Sequence, residues 1–131
     1  MIEGIVKKIM LTGIEKYAKI LNQKSENIQI RISVPNGQEV QYEICENYQP
    51  KEIVTFLQIM DKKFDILGYE MLSTPYMAKS LVMYAEKENS QIENVCCFIS
   101  KIPNSLGVSF FLNKKNTRNV TLSKFLTELG L

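Results

Sequence analysis

Hydrophobic positions recur along this chain with two different periods, and the switches between them mark out its elements. From Ile2 to Leu21 the apolar residues Ile2, Ile5, Val6, Ile9, Met10, Ile14, Tyr17, Ala18 and Leu21 fall at helical spacing, with Glu3, Lys7, Lys8, Glu15, Lys16 and Lys19 opposite. The spacing predicts an amphipathic helix. Gly4 and Gly13 each cost about 1 kcal/mol relative to alanine inside a helix, so a later start capped by Thr12 is the competing reading. The period then drops to two. Ile28, Ile30, Ile32 and Val34 alternate with Gln29, Arg31 and Ser33, and Val40, Tyr42 and Ile44 alternate with Gln41, Glu43 and Cys45. Pro35-Asn36-Gly37 lies between the runs, and its residues suit a chain reversal, so a β-hairpin with one buried face is expected.

Pro50 and Glu52 suit a helix N-terminus, and Ile53, Phe56, Leu57, Met60, Phe64 and Leu67 then form one stripe ending before Gly68. A second helix over residues 50–67 follows. Ser73-Thr74-Pro75 supplies another cap and first-turn proline, after which Met77, Ala78, Leu81, Tyr84 and Ala85 share a face. A third helix is expected there, although residues 79–87 could instead be a strand, because so short an apolar run fits both periods. Val95 to Ser100 and Val108 to Leu112 flank Pro103-Asn104-Ser105 as a second hairpin, and Thr121 caps a last helix carrying Leu122, Phe125, Leu126 and Leu129 inward.

Landmarks in the two halves correspond. Glu26-Asn27-Ile28 returns as Glu93-Asn94-Val95, Ile32-Ser33 as Ile99-Ser100, Pro35-Asn36 as Pro103-Asn104, and Phe56-Leu57 as Phe125-Leu126. These matches suggest a duplicated αββα unit, with repeats over 1–67 and 73–131 inside one α+β domain spanning 1–131. The expected architecture is an antiparallel sheet of about four strands, from two hairpins, packed with about four helices.

Composition sharpens this picture in a few places. The 131 residues are 45% hydrophobic and 23% charged, which is ordinary for one globular domain and unlike a disordered chain. No apolar run approaches the ~18 residues needed to cross a bilayer, and Glu3, Lys7 and Lys8 interrupt the N-terminus where a leader would need an apolar core. A cytoplasmic protein without membrane contact is expected. Three cysteines, two of them adjacent, fit a reducing compartment. The net charge of +2 is unevenly spread, with an acidic stretch over 26–60 between basic ends. Isoleucine, lysine and asparagine are abundant, as AT-rich coding in low-GC bacteria and their phages would produce.

The absence of histidine excludes the most chemistry. No Ser-His-Asp or Cys-His arrangement, no imidazole base and no histidine-bearing zinc site can be built. Phosphate-loop, dinucleotide-binding and nucleophile-elbow patterns are missing too. Asp61 and Asp65 stand four residues apart, but Lys62 and Lys63 beside them make a solvated helix face the simpler account. Cys96 and Cys97 should face opposite sides of a strand, and Cys45 joins them as the remaining thiol for any histidine-independent enzyme. No cofactor and no metal site is predicted.

What remains points to contact rather than turnover. Met71, Tyr76, Met77 and Met83 gather in one segment, and adaptable thioethers with amphipathic rings suit a protein interface. The leading expectation is a non-enzymatic protein-binding module that holds or occludes another protein or pairs with itself as a homodimer. An inhibitor, immunity or chaperone-like partner, encoded by a phage or mobile element, fits that description. The alternative is nucleic-acid binding, in which a basic loop over 113–119 places Lys114, Lys115 and Arg118, with Lys124 nearby, before a helix N-terminus that attracts phosphate.

Overall fold

The structure, a computed structural model, describes residues 2–59, 66–103 and 105–128, and the backbone alone at residues 2, 3, 5 and 66–76. Its elements in chain order are α1 (Ile2–Ile20), β1 (Ile28–Ser33), β2 (Gln41–Glu46), β3 (Gln49–Val54), α2 (Phe56–Ile59), α3 (Ile66–Lys87), β4 (Val95–Ile102), β5 (Ser105–Leu112), β6 (Lys115–Thr121) and α4 (Leu122–Glu128). The strands form one antiparallel sheet in the order β3-β2-β1-β4-β5-β6. This is the α+β class the periodicity predicts, with six strands where four were expected.

The two additional strands are the sheet edges. Residues 49–54 form β3, so Pro50 is an edge-strand proline rather than the first residue of a helix, a position where its missing N–H is tolerated. The basic run expected as a loop over 113–119 is a turn followed by β6. Both edges are reached through tight reversals. Asn47 and Tyr48 have φ of 50° and 66°, and Asn113 and Lys114 have φ of 50° and 69°, so each turn needs two consecutive left-handed residues. Of the helix expected over 50–67, residues 56–59 form α2 and residues 66–67 begin α3; its Met60, Asp61, Phe64 and Asp65 lie outside the described residues. Helix α3 runs through both Gly68 and Pro75, where a stop and a cap were expected, and residues 79–87 are helix.

The element order reads αβββα twice, where αββα was expected. With an offset of 67, Met10, Ile14, Tyr17, Ala18 and Asn22 correspond to Met77, Leu81, Tyr84, Ala85 and Asn89. Asn22 and Asn89 both end their helices with positive φ, at 53° and 51°. Both units bend into their first strand through a single 3₁₀ turn, at Ser25–Asn27 and Ile92–Asn94. Beyond the central strands the offset becomes 66: the ladder irregularities at Ile44/Cys45 and Phe110/Phe111 correspond, as do the capping residues Thr55 and Thr121. Phe56 is thus equivalent to Leu122, and not to Phe125 as the dipeptide match suggested. The halves join where β1 meets β4. Their register runs from Gln29↔Ser100 to Ser33↔Cys96 about the central pair Arg31↔Phe98, which are themselves 67 apart, so a pseudo-twofold axis passes through that pair.

One face of the sheet carries the core. Ile28, Ile30, Ile32, Ile44, Cys97, Ile99, Leu106 and Val108 are fully buried there against Ile9, Met10, Ile14, Met77 and Leu81 of the helices. Alternation puts Gln29, Arg31, Cys45, Cys96, Phe98 and Phe111 on the other face. There Phe98 packs edge-on against Tyr48 and Phe111, with ring centroids 5.1 and 4.9 Å away, and Arg31 pairs with Glu43 at 3.1 Å. Among the described residues no helix is long and apolar enough to cross a membrane.

Candidate functional site: a cleft between two helices

Pseudo-symmetry identifies where the two halves differ. In the first half α1 and α2 meet closely because residue 13 is glycine: a Cβ there would lie 2.6 Å from Ile59 Cγ2 and 3.2 Å from the Ile59 carbonyl oxygen. Ile59 fills the space between the helices and is fully buried. In the second half Ser80 stands at the position of Gly13 and Phe125 at that of Ile59. A cleft of about 230 Å³ opens there, lined by Ser80, Met83, Tyr84, Lys87, Phe110, Arg118, Phe125 and Glu128.

Aromatic rings form its floor. Tyr84 stacks on Phe110 with centroids 4.8 Å apart and planes 29° apart, and Phe110 packs against Phe125 at 5.9 Å. Tyr84 is also tethered at its polar end. Thr117 donates its hydroxyl proton to the Phe110 carbonyl at 3.2 Å, so in the hydrogen bond between Tyr84 and Thr117 the phenol is the donor. Burial, reinforced by the carboxylate of Glu88 and opposed by Arg118, pushes the Tyr84 phenol upward and keeps it protonated. Ser80 donates to the Met77 carbonyl at 2.8 Å, a bond within its own helix, so its hydroxyl is occupied. At the mouth Arg118 pairs with Glu128, whose carboxyl is held below the usual range chiefly by that hydrogen bond.

Two apolar residues stand exposed on α3 among the charged Lys79, Glu86 and Lys87. Val82 and Met83 are 40% and 48% exposed, whereas the equivalent residues of α1 are Glu15 and Lys16. A second groove of about 320 Å³ lies by residues 35–41 and 53–56, with Ile53 exposed at its side. One of its walls is the reversal over 35–40, where Asn36 accepts bonds from the Gln38 and Glu39 amides, whereas helices and strands frame the α3–α4 cleft on every side. Sites framed by regular elements hold their geometry more closely.

Of the residues singled out in the sequence, the fold brings Met83 and Arg118 to the cleft, with Lys124 acting on Glu128 at its mouth, and leaves Met77, Lys114 and Lys115 away from it. Met83 lies at the cleft, but Met77 is 1% exposed and belongs to the core, because it repeats the inward position of Met10; it offers nothing to a surface partner. The side chains of Met71 and Tyr76 lie outside the described residues. Lys114 and Lys115 project at the β5–β6 turn, and Lys124 is exposed on α4, while Arg118 is half-buried against Glu128. Both arginines of the chain are ion-paired with carboxylates, Arg31 with Glu43 and Arg118 with Glu128. Sequence reasoning missed Tyr84, Phe110 and Phe125 as a group; only the repeat of Tyr17 as Tyr84 could have signalled the first.

All three thiols are free and buried. Cys45 and Cys96 lie on the outer face and Cys97 in the main core, as strand alternation predicts for the adjacent pair. Desolvation raises each of them, Cys45 up to about 12, with Glu43 adding to the effect there. Such thiols are protonated near neutral pH and poor nucleophiles. Among the described residues no group of three or more acidic or thiol side chains is placed to hold a metal ion.

The cleft therefore offers aromatic and thioether contact, a charged mouth and hydroxyls already committed to internal hydrogen bonds, a constitution suited to gripping an apolar group. No protein-family model, no curated protein and no solved structure matches this chain.

Proposed function

We propose that this chain is a non-enzymatic protein-binding module whose contact surface centres on the α3–α4 cleft. One observation carries the reading: Val82 and Met83 present apolar surface to solvent beside an aromatic-lined recess, where the symmetry-related helix carries Glu15 and Lys16. Aromatic residues and methionine are enriched at protein interfaces, and a cluster of apolar surface rimmed by charge is the usual form of a contact site. The partner is a larger protein that the module holds or blocks, in the manner of an inhibitor, immunity protein or chaperone. A second copy of the chain is the other candidate partner.

Affinity capture from the cells of origin, comparing the wild-type chain with Met83→Lys, tests this reading. The expected result is a protein captured by the wild type and strongly depleted in the variant, with both chains equally folded. Light scattering on the purified chain separates self-association from capture of a different protein. Equal capture by both chains, or capture of nothing by a strict monomer, would count against the proposal.

A further inference from the structure

The size, lining and charge of the cleft restrict what a partner must present. Sites for drug-sized ligands and cofactors enclose about 300–1,000 Å³, and this recess, at about 230 Å³, falls below that range. It has room for one large side chain. Tyr84, Phe110 and Phe125, packed on one another, give the recess a rigid aromatic floor, and the flexible, half-exposed Met83 thioether can close over an inserted ring.

The mouth is positive on balance. Lys87 and Lys124, both exposed, act with Arg118 on the single carboxylate of Glu128, which the Arg118 guanidinium already engages. Glu88 acts at the cleft as well, through Tyr84. Among the described residues, Lys87, Lys124 and Arg118 thus face Glu128 and Glu88, the first of which is committed to an ion pair.

We infer that the cleft receives one large apolar side chain, aromatic by preference, carried on an acidic segment of a partner protein. This rests on the protein-binding reading above and adds the chemistry of the partner. The recess supplies affinity through burial of the anchor, and the lysines supply orientation and encounter rate through complementary charge.

Two small probes of equal size and opposite charge test the inference on the intact chain: 3-phenylpropionate and 3-phenylpropylamine, titrated while backbone amide signals are followed by NMR. The expected result is saturable shifts clustered at Met83, Tyr84, Phe110 and Phe125, with the carboxylate binding about threefold more tightly than the amine, as for a partly screened surface charge. In the Lys87→Glu/Lys124→Glu variant, which changes two exposed side chains, the preference should reverse. Equal binding of both probes, or a preference that the double variant leaves intact, would overturn the acidic segment; shifts elsewhere or none would overturn the anchor. Either failure is separable from failure of the protein-binding reading, because partner capture that depends on Met83 is measured independently.

Discussion

Gly13→Ala is the sharpest test of the packing that distinguishes the two halves. On an exposed helix face this change stabilises by about 1 kcal/mol, since glycine is the poorer helix former. At position 13 the new methyl would sit 2.6 Å from Ile59 Cγ2 and 3.2 Å from the Ile59 carbonyl oxygen. Neither atom retreats easily: Cγ2 is attached at a β-branched carbon of a fully buried side chain, and the oxygen belongs to the main chain of α2. Overpacking of this kind costs about 1–3 kcal/mol. Taking the upper half of that range, because one contact is main chain, the net loss is about 1–2 kcal/mol. For a chain of this size that lowers the melting temperature by roughly 3–8 °C, readable by far-UV circular dichroism. Ser80→Ala at the equivalent position of α3 is the control; Ser80 is buried, but the change removes atoms beside the cleft rather than adding them, so its cost is limited to the local hydrogen bond to the Met77 carbonyl, about 1 kcal/mol or less. A Gly13→Ala protein that melts higher than wild type would refute the claim that glycine is needed for the α1–α2 contact.

Two further outcomes follow from the turns and the thiols. Lys114→Gly should stabilise the chain by about 1 kcal/mol, because Lys114 has φ of 69° and no packing role, whereas Tyr48→Gly should destabilise it, because Tyr48 covers Phe98 and Phe111; urea titration of both variants checks the contrast, and a shift of the same sign in both would contradict it. The thiols predict alkaline sensitivity. Cys45 is raised from 9.0 to about 12 in the folded chain, so its contribution is complete below pH ~9 and is lost as pH rises toward 12, at about 1.4 kcal/mol per pH unit. The urea midpoint should therefore fall between pH 8 and pH 10.5, less steeply in Cys45→Ala, and Ellman's reagent at pH 8 should label the native thiols far more slowly than the unfolded ones. A pH-independent midpoint or prompt native labelling would contradict the burial of these groups.

How much of this was legible in the sequence follows from what each residue's surroundings had to be. Strands β1 and β2 were readable from their apolar alternation, and β4 and β5 from β-branched and aromatic residues flanking a turn. The edge strands were not. In β3 only Val54 is buried, and in β6 only Arg118 and Val120 are even half-buried, so neither carries an apolar period. Their turns use Asn-Tyr and Asn-Lys where Asn-Gly would have announced a hairpin, and Pro50 imitates a helix start. The long N-terminal helix was visible, but the reason for Gly13 was not, since it lies in Ile59, more than forty residues away. The same distance hid the cleft: Met83 stood out in the sequence, whereas Tyr84, Phe110 and Phe125 come from three separate elements that only the fold brings together. Some of the paired landmarks were readable, and the helix correspondences from Met10/Met77 to Asn22/Asn89 add to them.

Hydrogen exchange of the chain alone and in complex with its captured partner tests the location of the binding surface most directly. Added protection is expected within residues 77–87 and 115–128, on both walls of the cleft, and none over β3 or the outer face of the sheet. Protection confined to the β3 edge or to the Tyr48, Phe98 and Phe111 cluster, with residues 77–87 unchanged, would contradict it.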